Sequence, residues 1–203
     1  MHHINLNTDY EAWLRAELDD LWVFDKLIVA RKAGHICGPR GMRVPKPGMY
    51  MVRPVTNLSG MGEGARKIYI EGSTDHLHPG EFWSEFFEGE HLSIDYRGID
   101  TVLSVRGIKD KVFPYQRFTH WQKVEYSVPL PQMLVRMCLR YKYINCEFIG
   151  GKLIEIHLRG NPDFFHGNTQ AIPVWPEESL EPPQGFRFIP DVDEDERIGI
   201  FVN

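Results

Sequence analysis

The residues best placed to do chemistry lie together in Glu147-Phe-Ile-Gly-Gly-Lys-Leu-Ile-Glu155-Ile-His157-Leu-Arg159-Gly-Asn161. Gly150-Gly151 is a turn dipeptide between two apolar runs, so the segment predicts a β-hairpin. In a strand, side chains alternate between faces. Leu153, Glu155, His157 and Arg159 are therefore expected on one face, and Ile154, Ile156 and Leu158 on the other. With Glu147 on the partner strand, two carboxylates and a guanidinium face one space. Two hard oxygen ligands beside a fixed cation suit magnesium and a phosphate-bearing substrate. A half-exposed strand with an incidental cross-strand ion pair accounts for the same residues, and on this segment alone both readings stand.

Two further segments carry chemistry of the same kind. Tyr50-Met-Val-Arg53-Pro-Val-Thr-Asn57-Leu-Ser59-Gly60-Met-Gly62-Glu-Gly64 predicts a strand that runs into a glycine-rich loop and returns as a strand. Glycines let such a loop turn backbone N–H groups toward phosphate oxygens, and Arg53 can add charge to the same oxygens. No Gly-Lys-Ser/Thr and no following helix make it a Walker loop, and taken alone it reads equally as an ordinary hairpin. Glu85-Phe-Phe87-Glu88-Gly89-Glu90 joins two strand-like pieces. Its extended backbone can offer an N–H and a C=O to a flat heterocycle, with Glu90 free to accept from a ribose hydroxyl. A turn with solvated acids is the alternative.

These segments must be positioned by a chain of 203 residues, 42% hydrophobic, with a net charge of −5. That is enough for one substantial domain or two small lobes. A slightly acidic balance, pI near 6.0, gives no electrostatic reason to expect nucleic-acid binding. No apolar run has transmembrane length and no signal peptide is recognisable, so no membrane association is expected. Cys37, Cys138 and Cys146 form no metal-ligand pattern and read as reduced thiols in a cytoplasmic protein. Periodicity predicts helices over 9–21, with Asp9 as N-cap, and over 24–33. It predicts strands over 49–55, 66–70, 82–87, 91–96, 101–105 and 122–127, and a helix opened by Pro131 and running to about Tyr141. The tail from about Pro173 is rich in Pro and acid and is expected to be unstructured. The class is α+β.

In this order, the segments resemble the ATP-grasp superfamily. The resemblance rests on Asp25-Lys26 opening a helix and on Arg53-Pro54 with the glycine-rich Ser59–Gly64 loop. It rests further on Glu85-Phe-Phe-Glu88-Gly89-Glu90-His-Leu-Ser93, and on Glu147 followed by Gly150-Gly151 and Glu155-Ile-His157-Leu-Arg159. It spans residues 25 to 159. It implies two α+β lobes holding ATP between antiparallel sheets: a helical extension over 1–23, a small lobe over 24–88, a large lobe over 89–172 and a tail over 173–203. The family's usual N-terminal substrate-binding domain is expected to be missing. Lys26 and Arg53 are then expected to hold the α- and β-phosphates, with Ser59, Gly60 and Gly62 in a flap over them. Glu85, Phe87 and Glu88 bracket adenine and Glu90 binds ribose. Glu147, Glu155 and His157 hold Mg2+, with Asn145 a competing ligand, and Arg159 stabilises the transferred phosphoryl group.

The activity so implied is ATP- and magnesium-dependent ligation of a small-molecule or peptide carboxylate to an amine through an acyl phosphate, in the cytoplasm of a bacterial or phage-infected cell. A partner protein or dimer mate is expected to complete the acceptor site. A nucleotide-binding pseudoenzyme and a small-molecule kinase are the alternatives. Two positions depart from the family pattern: Arg53 stands where most members have lysine, which resembles a clade common in bacteriophages, and His157 replaces the usual asparagine. The absence of a convincing Ser/His/Asp or Cys/His set agrees with a reaction that needs cations, metal ligands and a lid.

Overall fold

The computed structural model describes residues 8–56, 58, 62–191 and 197–203. Ser59 and Gly60 of the expected flap lie outside the described residues. Two antiparallel sheets are built from β1 (Cys37–Pro39), β2 (Gly48–Pro54), β3 (Arg66–Ile70), β4 (Glu81–Glu85), β5 (His91–Arg97), β6 (Asp100–Lys109), β7 (Phe118–Lys123), β8 (Ile144–Ile149), β9 (Lys152–His157), β10 (Gln170–Val174), β11 (Arg187–Pro190) and β12 (Gly199–Val202). The smaller has the order β1-β4-β2-β3 and the larger β11-β12-β10-β7-β6-β5-β8-β9. The break between them falls in the segment joining β4 to β5, and the α+β architecture is as expected.

The large sheet's two faces differ in chemistry. Leu92, Ile94, Tyr96, Cys146, Phe148, Leu153 and Ile156 pack into one core with Ala12, Val23, Phe24 and Val29 from the N-terminal helices. The other face of the same strands carries His91, Ser93, Asp95, Asn145 and His157, all buried. Burying that many polar groups costs free energy unless each is partnered. A buried polar face on a central sheet is therefore the first structural sign of a site.

Helix α2 (Lys26–Lys32) starts where expected: Asp25 is its N-cap, its Oδ1 accepting from the Ile28 N–H at 2.8 Å, and Gly34 follows it with φ +77°. The first helix does not run to Leu21. Helix α1 (Asp9–Arg15) is capped by Thr8 rather than Asp9, and Ala16 turns extended. A 3₁₀ segment, Leu18–Phe24, follows. The expected apolar stripe faces solvent instead, Tyr10 at 62%, Leu14 at 63% and Leu18 at 85% exposure. The core takes Ala12, Val23 and Phe24, so tertiary packing overrode the helical periodicity.

Three more expectations are corrected. The segment after Pro131 forms two 3₁₀ turns, Gln132–Leu134 and Met137–Leu139, in place of one helix. Their Leu134, Met137 and Cys138 pack into the core in that tighter form. Half of the stretch 106–121, where no strand was expected, is strand, because β6 runs to Lys109 and β7 begins at Phe118. The tail contributes β11 and β12, with β12 paired to β10 and β11. Ile200 and Val202 join Val105, Trp121, Phe164 and Ala171 in a second core cluster.

Candidate nucleotide-binding and metal site

The hairpin forms at the edge of the large sheet, with Glu147 opposite Glu155 and Asn145 opposite His157. One feature of it differs from the strict alternation expected. The register shifts between Glu147 and Phe148, whose partner is Leu153, so Ile154 is an extra residue in β9. This β-bulge flips Leu153 into the core beside Phe148 and leaves Ile154 on the cavity wall. A bulge frees peptide groups from the ladder. The carbonyl of Ile154 accepts from Arg53 Nη1 at 3.3 Å, and that of Leu153 is 2.7 Å from His35 Nε2.

The sheets enclose a cavity of about 650 Å3. Lys26, Met51, Arg53, Gly62, Glu85, Phe86 and Phe87 line one end, and Glu147, Glu155, His157 and Arg159 its middle. Asp163, Trp175, Ile189, Asp191, Arg197 and Ile200 line the other end. Lys26, the first residue of α2, reaches it because its own N–H donates to the Val55 carbonyl just past Arg53-Pro54. Its Nζ lies 2.9 Å from Glu155 Oε1. Arg53 is enclosed, its Nε buried without a partner among the described residues. Burial pulls the Arg53 pKa down, while the charges of Glu155 and Glu147 oppose that. A buried guanidinium with an unused donor suits an anionic ligand.

Gly62 lies on the cavity wall with φ +62°, and a Cβ there would stand 2.2 Å from the Tyr115 carbonyl oxygen. Only glycine lets the described end of the flap lie against the loop between β6 and β7. Phe87 borders the cavity with its ring edge-on to His35 at 4.7 Å. Glu85 faces the cavity but its Oε1 already accepts from the Ile36 N–H at 3.1 Å. Glu88 and Glu90 are exposed and lie off the cavity lining. Glu90 pairs with Arg106 at 3.1 Å, so the carboxylate expected at a ribose is turned toward solvent. Lys109 lines the cavity, and burial lowers its pKa.

Around the hairpin the charges are tightly paired. Glu147 Oε2 is 2.9 Å from His91 Nε2, and Glu147 Oε1 is 3.7 Å from His157 Nε2. Burial pushes the Glu147 carboxyl up, but hydrogen bonds and charge from His157 and His91 hold it well below the usual range. Burial likewise pulls His157 down, yet Asp9 and the hydrogen bonds to Asp9 and Glu147 push it up to about 10. Asp9 is the residue that sequence reasoning missed. Its Oδ1 lies 3.0 Å from His157 Nδ1 and its Oδ2 accepts from Arg159 Nη2 at 2.7 Å. Burial raises Asp9, but the two cations hold it well below its ordinary value. The one signal in the sequence, an acid beside a Thr at a helix start, reads as a cap.

Both ring nitrogens of His157 already face carboxylates, Nδ1 with Asp9 Oδ1 at 3.0 Å and Nε2 with Glu147 Oε1 at 3.7 Å. Asn145 is also committed, donating to Ser93 Oγ and Asp95 Oδ1 at 2.7 Å each. Asp95, pushed up by burial, also accepts from the Asn161 N–H at 2.9 Å, which anchors the chain just past Arg159. Among the described residues no cluster of three or more His, Cys, Asp or Glu side chains is arranged for a metal. Two facing carboxylates still fit magnesium if phosphate oxygens and water complete the shell, the usual arrangement for that ion.

No family model matches the sequence, and no curated protein matches it. Solved structures do match. The L-amino acid ligase of Bacillus licheniformis matches with a TM-score of 0.51 at 9% identity, over 90% of this chain and 66% of that one. A protein of Archaeoglobus fulgidus ascribed to the ATP-grasp superfamily matches with a TM-score of 0.45 at 13% identity, over 89% and 64%. The ATP-grasp ligase PsnB, solved with a minimal precursor, Mg and ADP, matches with a TM-score of 0.39 at 16% identity, over 59% and 41%. This chain thus spans about two thirds or less of the length of these three structures. At such identities the likeness is one of fold.

Proposed function

We propose that the chain is an ATP- and magnesium-dependent ligase that joins a carboxylate to an amine through an acyl phosphate. The observation that carries this reading is the meeting of Lys26, Arg53, Glu147, Glu155 and Arg159, from three distant segments, on one cavity. Lys26 and Arg53 hold phosphate oxygens at the small-sheet end. Glu147 and Glu155 hold the magnesium ion, which neutralises charge on the phosphates when bound. Arg159 faces the oxygens of the transferred group. A substrate carboxylate oxygen attacks the γ-phosphorus as the bond to the β-phosphate oxygen breaks, giving an acyl phosphate and ADP. The amine nitrogen then attacks the acyl carbon, phosphate leaves with the C–O bond electrons, and the nitrogen gives up a proton. Both steps depend on positioning and charge neutralisation, which fixed cations lining the cavity supply.

The test is thermal melting with a non-hydrolysable ATP analogue, with and without magnesium, for wild type and Arg53→Ala. At a hundred times its Kd the analogue stabilises wild type by about 2.7 kcal/mol. The shift is expected to need magnesium and to vanish in Arg53→Ala; an equal shift in both proteins refutes the assignment of Arg53. One observation favours a second reading, a nucleotide-binding module without turnover: Lys26 and His91 already occupy Glu155 and Glu147. Hydroxylamine trapping separates the two, since only the ligase yields a hydroxamate from ATP and a candidate acid.

A further inference from the structure

We infer that Asp9 is a positioning residue that aims the Arg159 guanidinium at the terminal phosphate, so that the N-terminal helix is part of the phosphoryl-transfer site. This rests on the nucleotide reading above. Asp9 and Thr8 border the cavity beside Arg159 and His157, although they lie far from them in sequence. The start of α1 is fixed by Thr8, whose Oγ accepts from the Glu11 N–H at 3.0 Å. Asp9 is thereby held at the edge strand β9, and its two oxygens are divided between His157 and Arg159. It is 7% exposed.

Arg159 has few other constraints. Its Nη1 donates to the Gly160 carbonyl at 3.2 Å, its own chain neighbour. The Asp9 contact is the one that ties the guanidinium to a distant element. Asp9 sets one carboxylate between Arg159 and His157 and so fixes these two side chains relative to one another on the cavity wall. A charge-assisted hydrogen bond from each oxygen to a different side chain sets orientation as well as charge. A helix tie with no part in the site would need neither the second oxygen on Arg159 nor a place on the cavity wall.

The experiment is calorimetric titration of Mg·ADP and of the magnesium complex of a non-hydrolysable ATP analogue. It uses wild type, Asp9→Asn, Arg159→Ala and the double variant, with near-UV circular dichroism as the check on folding. Wild type is expected to prefer the analogue, because only the analogue carries the phosphate that Arg159 meets. Asp9→Asn is expected to lose about ten-fold or more in analogue affinity, the scale of a charge-assisted hydrogen bond, with ADP affinity nearly unchanged. The double variant is expected to bind no worse than Arg159→Ala, since Asp9 acts through Arg159. Asp9→Asn that keeps the wild-type preference, or losses that add in the double variant, overturns the inference. Wild type that binds neither nucleotide overturns the nucleotide reading and this inference together. If Asp9→Asn fails to fold, Asp9→Glu carries the test: it keeps the ion pair but moves its oxygens by a methylene. A folded Asp9→Glu with reduced preference supports the inference, and one with the wild-type preference overturns it.

Discussion

The turn Gly150-Gly151 offers a controlled perturbation, because its two glycines share a backbone conformation and differ in their surroundings. Gly150 has φ +55° and Gly151 φ +77°. Alanine at either position pays about 1 kcal/mol for a left-handed conformation. Around Gly151 a Cβ meets nothing within 4 Å, so Gly151→Ala is expected to cost about 1 kcal/mol and no more. Around Gly150 a Cβ would stand 2.2 Å from the Glu88 carbonyl oxygen and 3.3 Å from its carbon. Those are backbone atoms of the segment joining the two sheets, and they cannot rotate away as a side chain could. Relief requires that segment to shift, which overpacking data place at about 1–3 kcal/mol. The shift also strains the hydrogen bond from the Gly150 N–H to the Glu90 carbonyl, 3.0 Å long, for about 1 kcal/mol more. Gly150→Ala is therefore expected to lose roughly 3–5 kcal/mol, at least 2 kcal/mol more than its neighbour. Urea titration of both variants, compared at equal slope, measures the difference. Equal destabilisation would show that the hairpin turn does not rest on the segment between the sheets.

Other expectations follow from the charges at the site. Glu155→Gln should lower magnesium-dependent ADP release by about a hundred-fold or more; turnover at the wild-type rate would remove Glu155 from the metal site. The folded-state pKa of His157, pushed up to about 10 from 6.5, makes its stabilisation full below pH 6.5 and lost as pH rises through about 10. The stability gap between wild type and His157→Asn should accordingly narrow between pH 6.5 and 10.5 in urea titrations, and a constant gap would contradict a protonated His157. Arg197 donates to both oxygens of Asp163 and both of Asp191, at 2.6 to 3.0 Å. Arg197→Met strands two carboxylates beside the second core cluster and should cost about 3–5 kcal/mol in a chemical denaturation curve.

What the sequence disclosed and what it hid divide along physical lines. Local rules sufficed for β3, found at Arg66–Ile70 as expected, for the stop of α2 before Gly34, and for the Gly150-Gly151 turn. Each is decided by a few neighbouring residues. The bulge at Ile154 was hidden because strict alternation has no term for an inserted residue, and the core's demand for Leu153 set the register instead. Composition misled at the tail, where the acids and prolines outweighed two short β-favouring runs, Phe186–Ile189 and Ile198–Val202. Those runs were the available signal for β11 and β12. Lys26 and Arg53 and the facing pair Glu147 and Glu155 were legible through their motifs, and they do share a cavity. Asp9 was not, since its partners lie about 150 positions away and nothing in its own neighbourhood marks it as more than a helix start.

The extra residue in β9 also changes how this hairpin tolerates alteration. In a regular strand, adding or removing one residue between turn and site would invert every side chain beyond it. Here the irregularity separates the two requirements: Leu153 answers to the core and the turn, whereas Glu155 and the residues after it answer to the cavity. The peptides freed at that point are the ones that receive Arg53 from the other sheet and His35 from the segment before β1. Deleting Ile154 would leave Leu153 and Glu155 as neighbours on opposite faces of a regular strand, still opposite Phe148 and Glu147, so its cost falls on the seam between the sheets, where the carbonyl that receives Arg53 is lost. The tip of the hairpin is held separately, since Gly150 packs on the Glu88 carbonyl and donates to that of Glu90, so the tip and the bulge are pinned by different groups.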